Sequence, residues 1–408
     1  MKSTYKQLGD YIEPCDEKNS ANEPLGLRGI SNQKYFQKAK TNTIGVDLST
    51  YRIVRTGQFA FNRATTRNGE KISIALCQEP DCIVSPSYRI FKSKDENVLN
   101  SEYLMMWFRR PEFDRYARFR SHGSAHEFFD YDEMCEVELP IPSIEKQREI
   151  VREYNTIVNR IQLNEQLIQK LEETAQAVYK RWFVEFEFPD ENNLPYKSNG
   201  GKMVWNEELE KEIPEGWKVT TLLDYSILSQ GIQVEVDEQF LEREEGMYRF
   251  LRIIDYTPKT DELPRYVNIN DSRYYCASDE IAMIRYGDAG TVCRRFNGII
   301  ANNLFKISPK EPLTNNLLFY FLKEETTQRL IRTSAASSTM PAITHAAIKE
   351  LSFILAIKQI IKCFDKIAQS AENQILSIIS ENQKLKDLKA LLLSKMTKVE
   401  ETTEKEIA

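Results

Sequence analysis

The 408 residues hold only three histidines and no long apolar run. The stretch from Ile357 to Ile361 is already broken by Lys358, far below the ~20 apolar residues that span a bilayer. No transmembrane helix is expected. The opening Met1-Lys2-Ser3-Thr4-Tyr5-Lys6-Gln7 lacks the apolar centre of a secretory signal, which makes the cytoplasm the expected location. Seven cysteines, Cys15, Cys77, Cys82, Cys135, Cys276, Cys293 and Cys363, are scattered without a CxxC pair, as expected of reduced thiols that serve packing. Local metal ligands reduce to His122, His126 and Glu127, interrupted by the helix-weakening Gly123, so no metal site is expected. Phosphate loops of the type GxxxxGK(S/T), GxSxG elbows and HExxH helices are missing, and no acidic pair has the spacing of a general acid and base. A chain with no catalytic residues and no cofactor of its own follows. The formal net charge of -6 argues against a general polyanion binder, although charge acts locally.

What the sequence does contain is a repeat. From Ser143, the residues Ile150, Tyr154, Ile157, Ile161, Ile168, Leu171, Ala175, Val178 and Trp182 follow alternating steps of four and three, broken by Asn164. A second seam runs Ile357, Ile361, Phe364, Ala368, Ala371, Ile375, Ile378 and Leu385, broken by Asn382, and then slips to Leu388, Leu392 and Met396. Sustained heptads predict a coiled coil whose register a single polar seam residue helps to fix; two ordinary amphipathic core helices would give a similar pattern. Lys146-Gln147 matches Lys358-Gln359, and Asn164 matches Asn382, at separations of 212 and 218 residues. Pro140 and Pro142 exclude helix before Ser143, a good N-cap with Glu145 behind it.

The expected fold class is α+β: two mixed α/β globules separated by a pair of long antiparallel coiled-coil helices, in a pseudo-two-fold internal repeat. The expected boundaries are a first globule over 1–142, a long helix over 143–184, a connector with the second globule over 185–355, a second long helix over 356–398 and a charged tail over 399–408. Antiparallel pairing follows from size, because a globule of roughly 170 residues is about 40 Å across, less than the ~60 Å of a 41-residue helix.

Basic and polar residues cluster inside the globules. Arg52, Arg55, Arg63, Arg67 and Lys71 face a single acid, Glu70, and Asn62-Arg63-Ala64-Thr65-Thr66-Arg67-Asn68-Gly69 reads as a polar loop between apolar runs. Arginine pairs bidentately with guanine, asparagine with adenine, and threonine binds phosphate, so Arg63, Thr65, Thr66, Arg67, Asn68 and Lys71 are candidate DNA contacts. A plain hairpin turn ending at Asn68-Gly69 is the alternative. A second cluster, Arg109, Arg110, Arg115, Arg118 and Arg120, precedes Ser121-His122-Gly123-Ser124, where Ser121, His122 and Ser124 suit close approach to phosphate. The acids that follow, Glu127, Asp130, Asp132, Glu133, Glu136 and Glu138, are expected to face away from DNA. The second globule supplies Arg285, Tyr286, Asp288 and Thr291 around a glycine turn, then Arg294, Arg295, Asn302 and Asn303, and a small-polar run holding Ser337 and Ser338.

At this point the chain resembles the DNA-specificity subunit of type I restriction-modification systems. The likeness rests on Leu139-Pro140-Ile141-Pro142 with Gln147, Tyr179-Lys180-Arg181-Trp182-Phe183-Val184-Glu185-Phe186, Glu212-Ile213-Pro214-Glu215-Gly216-Trp217 and Leu391-Leu392-Leu393-Ser394-Lys395-Met396. Leu351-Ser352-Phe353-Ile354 departs from the proline-rich entry usual in the family. The resemblance implies two target recognition domains, each reading half of a bipartite double-stranded DNA site. It implies helices that dock two modification (methyltransferase) subunits carrying S-adenosylmethionine, and restriction/translocase subunits using ATP and Mg. A coiled-coil adaptor without DNA binding is the competing reading.

Overall fold

A computed structural model describes residues 5–39, 45–64, 71–78, 80–122, 127–257, 263–335 and 342–398. The chain divides into two compact units: Met1–Leu163 with Glu381–Ala408, and Asn164–Ser380. The second unit is therefore nested in the sequence of the first, and both long helices run through the division.

Among the described residues, the two main sheets of unit 1 use β1 (Ile12–Cys15), β2 (Gly26–Ile30), β3 (Phe36–Lys38), β4 (Arg52–Val54), β5 (Phe59–Asn62), β6 (Ile74–Leu76), β7 (Cys82–Val84) and β8 (Tyr88–Ser93). They form two four-stranded sheets, ordered β1-β8-β5-β6 and β3-β2-β7-β4. Helices α1 (Ser101–Phe108), α2 (Pro111–Phe119) and α3 (Tyr131–Cys135) follow, then the long α4 (Ile144–Tyr179). Local chemistry sets these starts. Asn100 accepts from the Tyr103 amide to cap α1, Asp130 and Glu133 form a capping box on α3, and Ser143 accepts from the Lys146 amide at the head of α4.

Unit 2 repeats the plan. Its strands are β9 (Ser226–Gln230), β10 (Tyr248–Leu251), β11 (Arg265–Val267), β12 (Tyr275–Cys276), β13 (Ile281–Ile284), β14 (Val292–Cys293), β15 (Gly298–Ile300) and β16 (Leu304–Pro309). Their orders, β9-β16-β13-β14 and β11-β10-β15-β12, are those of unit 1 strand for strand. Helices α5 (Asn315–Lys323), α6 (Glu325–Ala335), α7 (His345–Lys349) and α8 (Lys358–Lys395) complete the copy. Helices α5, α7 and α8 each begin 214 residues after α1, α3 and α4. Thr314 and Thr344 cap α5 and α7 in place of Asn100 and Asp130.

In unit 1 the core joins Phe59, Phe91, Phe108 and Phe129 to Ile150 and Tyr154 of α4 and to Leu393 and Met396 near the end of α8. The first part of α4 thus packs on the last part of α8, and Arg160 pairs with Glu381 at 2.8 Å. In unit 2, Phe364 of α8 receives the rings of Tyr179 and Phe183, with centroids 6.0 and 5.2 Å away, so the far end of α4 meets the near end of α8. Within each unit the helices are therefore antiparallel. A π-helical turn, Lys180–Val184, ends α4 and brings Trp182 and Phe183 into the same core. The seam residues Asn164 and Asn382 are both buried. Among the described residues, no helix is long and apolar enough to cross a membrane.

Candidate nucleic-acid interface

Two loops that are far apart in the sequence of unit 1 meet at one edge. Leaving β5, Asn62 accepts from the Ala64 amide at 3.1 Å, and Ala64 forms a β-bridge to Phe128. Phe128 also bridges His122, by amide to carbonyl contacts of 2.9 and 3.0 Å in the two directions. The Phe129 amide donates to the Arg63 carbonyl at 2.9 Å. Arg63 and the Ser121-His122 segment therefore lie on either side of Phe128.

Arg63 is partly exposed. Its guanidinium lies 4.7 Å from the centroid of the Phe128 ring and 3.1 Å from Asp130. Arg89 reaches the same carboxylate at 2.7 Å. Burial alone would raise the Asp130 pKa, but the bonds from Arg89, the Tyr131 amide and Arg63 win and hold it below the usual carboxylate range. His122 is exposed, and Ser121 turns its hydroxyl onto the Ala117 carbonyl at 2.7 Å. Thr65, Thr66, Arg67, Asn68 and Ser124 lie outside the described residues.

The acids after His122 pair with arginines of the same unit. Glu127 pairs with Arg118 at 2.8 Å, Glu136 with Arg120, and Asp130 with Arg63 and Arg89. Arg52 and Arg55 are likewise engaged, the first by Asp16, the second by Glu17, Glu23 and Asp81. Arg110 is buried over the ring of Trp107. Much of the positive charge counted in the sequence is thus neutralised within the unit.

Unit 2 builds the corresponding edge from Arg285, which follows β13 as Arg63 follows β5. Tyr286 bridges Ala342, as Ala64 bridges Phe128, and the Ile343 amide donates to the Arg285 carbonyl at 3.1 Å. Gly287 and Gly290 take the positive φ values, 76° and 90°, that the turn requires. Asp288 and Thr291 stand exposed on it. Arg285 donates weakly to Gln230, at 3.4 Å, and lies 4.9 Å from the Tyr286 ring centroid. Asn302 donates to Gln233 at 2.5 Å. Among the described residues, Arg285 Nε, Asn303 Oδ1 and His345 Nε2 have no hydrogen-bond partner. Burial, with Arg285 and Lys349 nearby, pushes the His345 pKa down. Ser337 and Ser338 lie outside the described residues.

Arg294 and Arg295 take a different role from the one their sequence suggested. Arg294 is buried, pairs with Glu372 at 2.6 Å and stacks 3.6 Å from the Phe319 centroid. Arg295 joins Glu372 at 2.8 Å and also pairs with Glu172. Both guanidiniums tie β14 to the long helices. Sequence reasoning missed Arg89, Gln230 and Gln233, whose only signal was their place beside the loops it had chosen.

Residues 20–173 match the family model of the type I restriction modification DNA specificity domain. Over 169 residues the chain is 30% identical to the type I restriction enzyme MjaIX specificity subunit of Methanocaldococcus jannaschii, covering 41% of this chain and 36% of that protein. A longer match, 19% identical over 424 residues, takes in 90% of this chain and 91% of the type I restriction enzyme HindI specificity subunit of Haemophilus influenzae. The chain is thus similar to type I restriction enzyme specificity subunits. The fold agrees with a solved S subunit of the type I restriction-modification system from M. genitalium, at a TM-score of 0.56 and 13% identity over 96% of this chain and 95% of that one. The family match takes in the strands of the two unit 1 sheets from β2 to β8, together with the Arg63 and His122 segments. The match to the MjaIX subunit spans about a third of that relative's length.

Proposed function

We propose that this chain is the non-catalytic sequence reader of a type I restriction-modification complex. Unit 1 reads one half of a bipartite site in double-stranded DNA and unit 2 the other. The observation that carries the reading is the repetition of one arrangement: a strand ends, an arginine follows, and an aromatic ring lies beneath its guanidinium. Arg63 over Phe128 and Arg285 over Tyr286 fill those places. Arginine held flat by a ring keeps its donors in the plane that a guanine edge accepts.

The reading places Arg63, His122 and residues 65–70 on DNA in unit 1, with Ser121, Ser124 and Lys71 beside them. In unit 2 it places Arg285, Tyr286, Asp288, Thr291, Asn302, Asn303, Ser337 and Ser338 there. Arg294 and Arg295 drop out, because their donors are spent on Glu372 and Glu172. Domain limits of 1–142 and 185–355 for recognition, with 143–184 and 356–398 for the helices, serve this division of labour. The helices dock two modification subunits carrying S-adenosylmethionine, and restriction subunits join with ATP and Mg. The complex acts in the cytoplasm, where the DNA is.

Mapping methylated adenines in DNA from cells that express the chain with its modification subunits tests the reading. A bipartite methylated sequence whose one half relaxes in Arg63→Ala and whose other half relaxes in Arg285→Ala is expected. A methylation pattern indifferent to both variants contradicts it.

A further inference from the structure

One carboxylate in unit 1 serves two arginines, and it holds them differently. Asp130 stands just before α3, where its side chain accepts from the Tyr131 amide at 2.9 Å and caps the helix. Arg89, on β8 opposite Phe61 of β5, closes the fork of its guanidinium on the same group, Nε donating to Oδ1 at 2.7 Å and Nη2 to Oδ2 at 3.2 Å. A bidentate pair of this kind fixes both partners in one plane. Arg63, one residue beyond β5, reaches Oδ2 with Nη1 at 3.1 Å. Among the described residues Arg63 is bonded to Asp130 through Nη1 alone, so its own fork, Nε with Nη2, is left for a ligand.

The three side chains thus have distinct parts. Arg89 anchors the carboxylate, the carboxylate holds one corner of Arg63, and the Phe128 ring lies under the Arg63 face at 4.7 Å. Two guanidiniums against one carboxylate leave the group positive, and the donors left over belong to Arg63. A fork of two parallel donors matches the O6 and N7 acceptors of guanine. An arginine already held in place loses less rotamer freedom on meeting that edge than one that swings in solvent.

Unit 2 is built otherwise. Its α7 is capped by Thr344, which carries no charge and accepts from the Ala347 amide at 3.2 Å. The Nη1 of Arg285 meets the neutral amide of Gln230, at 3.4 Å. Charge-assisted hydrogen bonds are roughly twice as strong as neutral ones, so the arginine of unit 1 is the more firmly held.

We propose that Asp130 is a positioning residue for Arg63, aiming its Nε and Nη2 at a guanine edge, and that Arg89 in turn positions Asp130. The proposal rests on the reading of unit 1 as a DNA-recognition unit. A carboxylate at such an edge has two opposed effects: it repels the phosphates of every duplex, and it raises the preference for the correct one.

The full chain with its modification subunits is titrated, by fluorescence anisotropy, with three duplexes: the mapped bipartite sequence and the same sequence with one or the other half scrambled. Arg63→Ala identifies the half read by unit 1 as the half it relaxes. Asp130→Asn and Asp130→Thr both keep an N-cap on α3. Each should bind the duplex scrambled in that half more tightly than the parent does and discriminate against it about tenfold less, with the other half read as before. A fold defect would instead lower affinity for every duplex. Adding Asp130→Asn to Arg63→Ala should relax the half no further, and Arg89→Gln should relax the same half. Thermal melts matching the parent's certify that each variant folds. Discrimination equal to the parent's in both Asp130 variants, where Arg63→Ala has lost it, overturns the proposal and leaves the DNA reading standing. Discrimination equal to the parent's in Arg63→Ala overturns both. Discrimination equal to the parent's in Arg89→Gln overturns the part given to Arg89.

Discussion

Unit 2 closes the seat of its sheet with Arg294, Arg295, Glu372 and Glu172, whereas unit 1, with the same strand orders, has Leu76 and Val158 there beside open cavities. The pattern of strands and caps is thus compatible with either an ionic or an apolar joint. Strand order follows from which faces are apolar and which turns connect them, and that demand is met in both copies. The filling of the seat is a separate matter of a few side chains, free to diverge once the sheets and helices are in place.

The largest break in this comparison should come from Arg294→Ala. It leaves the Glu372 carboxylate buried without its closest partner, and such losses cost about 3–5 kcal/mol. Denaturant melts should show the deficit. Giving unit 2 the residues of unit 1, Arg294→Leu with Glu372→Val, should restore much of it, because an apolar pair of similar volume often replaces a buried ion pair without loss. A double variant as unstable as Arg294→Ala would mean that Arg295 and Glu172 need the network intact.

Next in size are Arg63 and Arg285, which the proposed function puts on DNA. Arg63→Ala and Arg285→Ala should each lose about 1–3 kcal/mol of DNA affinity if they meet bases, and each should relax one half-site only. Titrations over several salt concentrations check this, since a phosphate contact would lower the salt slope by about one and leave sequence preference alone.

A sharper structural contrast lies in the second sheets. In unit 2, Gly298 approaches the backbone so closely that an added Cβ would sit 2.2 Å from the Arg249 carbonyl oxygen. In unit 1 the register places the glycine on the other strand, Gly26 opposite Cys82, and a Cβ there meets nothing nearer than Arg28 Nε at 4.0 Å. Gly298→Ala should therefore cost about 1–3 kcal/mol. Gly26→Ala should be neutral or gain about 0.4–1 kcal/mol through the unfolded chain. Thermal melts of the pair suffice as a check.

The smallest effect is pH dependence. His345 has a folded pKa below its ordinary 6.5, so the unfolded chain binds its proton first and stability falls as pH drops through and below 6.5. Asp130 has a folded pKa below 3.8, so the stability it contributes is present above that value and is lost only as pH falls beneath it. Acid should therefore weaken unit 2 at its α7 before it weakens unit 1 at its α3. Amide exchange of the two helices between pH 7 and about 4 reads the order.

Much of this architecture is legible in the sequence. Heptad spacing gives both long helices, and Ser143 after two prolines gives the start of α4 because capping is local chemistry. The Gln147 of the resemblance motif is also explained: its side chain accepts from the Asn100 amide at 2.9 Å and donates to the Val98 and Pro142 carbonyls, tying α4 to the head of α1. The pairing of strands is less accessible, since β5 and β8 are joined by hydrogen bonds that no local spacing encodes. The role of Arg294 and Arg295 is hidden for the same reason. An arginine pair after a glycine turn reads alike whether it faces solvent or an acid, and Glu372 lies 77 residues beyond Arg295. Arg63 and Arg285 stand out in the sequence because glycines and asparagines follow them closely.

The nesting of unit 2 within unit 1 bears on how the protein is made. Translation delivers the N-terminus first, yet the core of unit 1 includes Leu393 and Met396, which leave the ribosome only after all of 164–380. The unit begun first is completed last. Until then Tyr154 and its neighbours on α4 lack their α8 partners, so the nascent first unit carries an uncovered apolar stripe throughout synthesis of the second. The second unit, contiguous in sequence, waits for nothing downstream of Ser380.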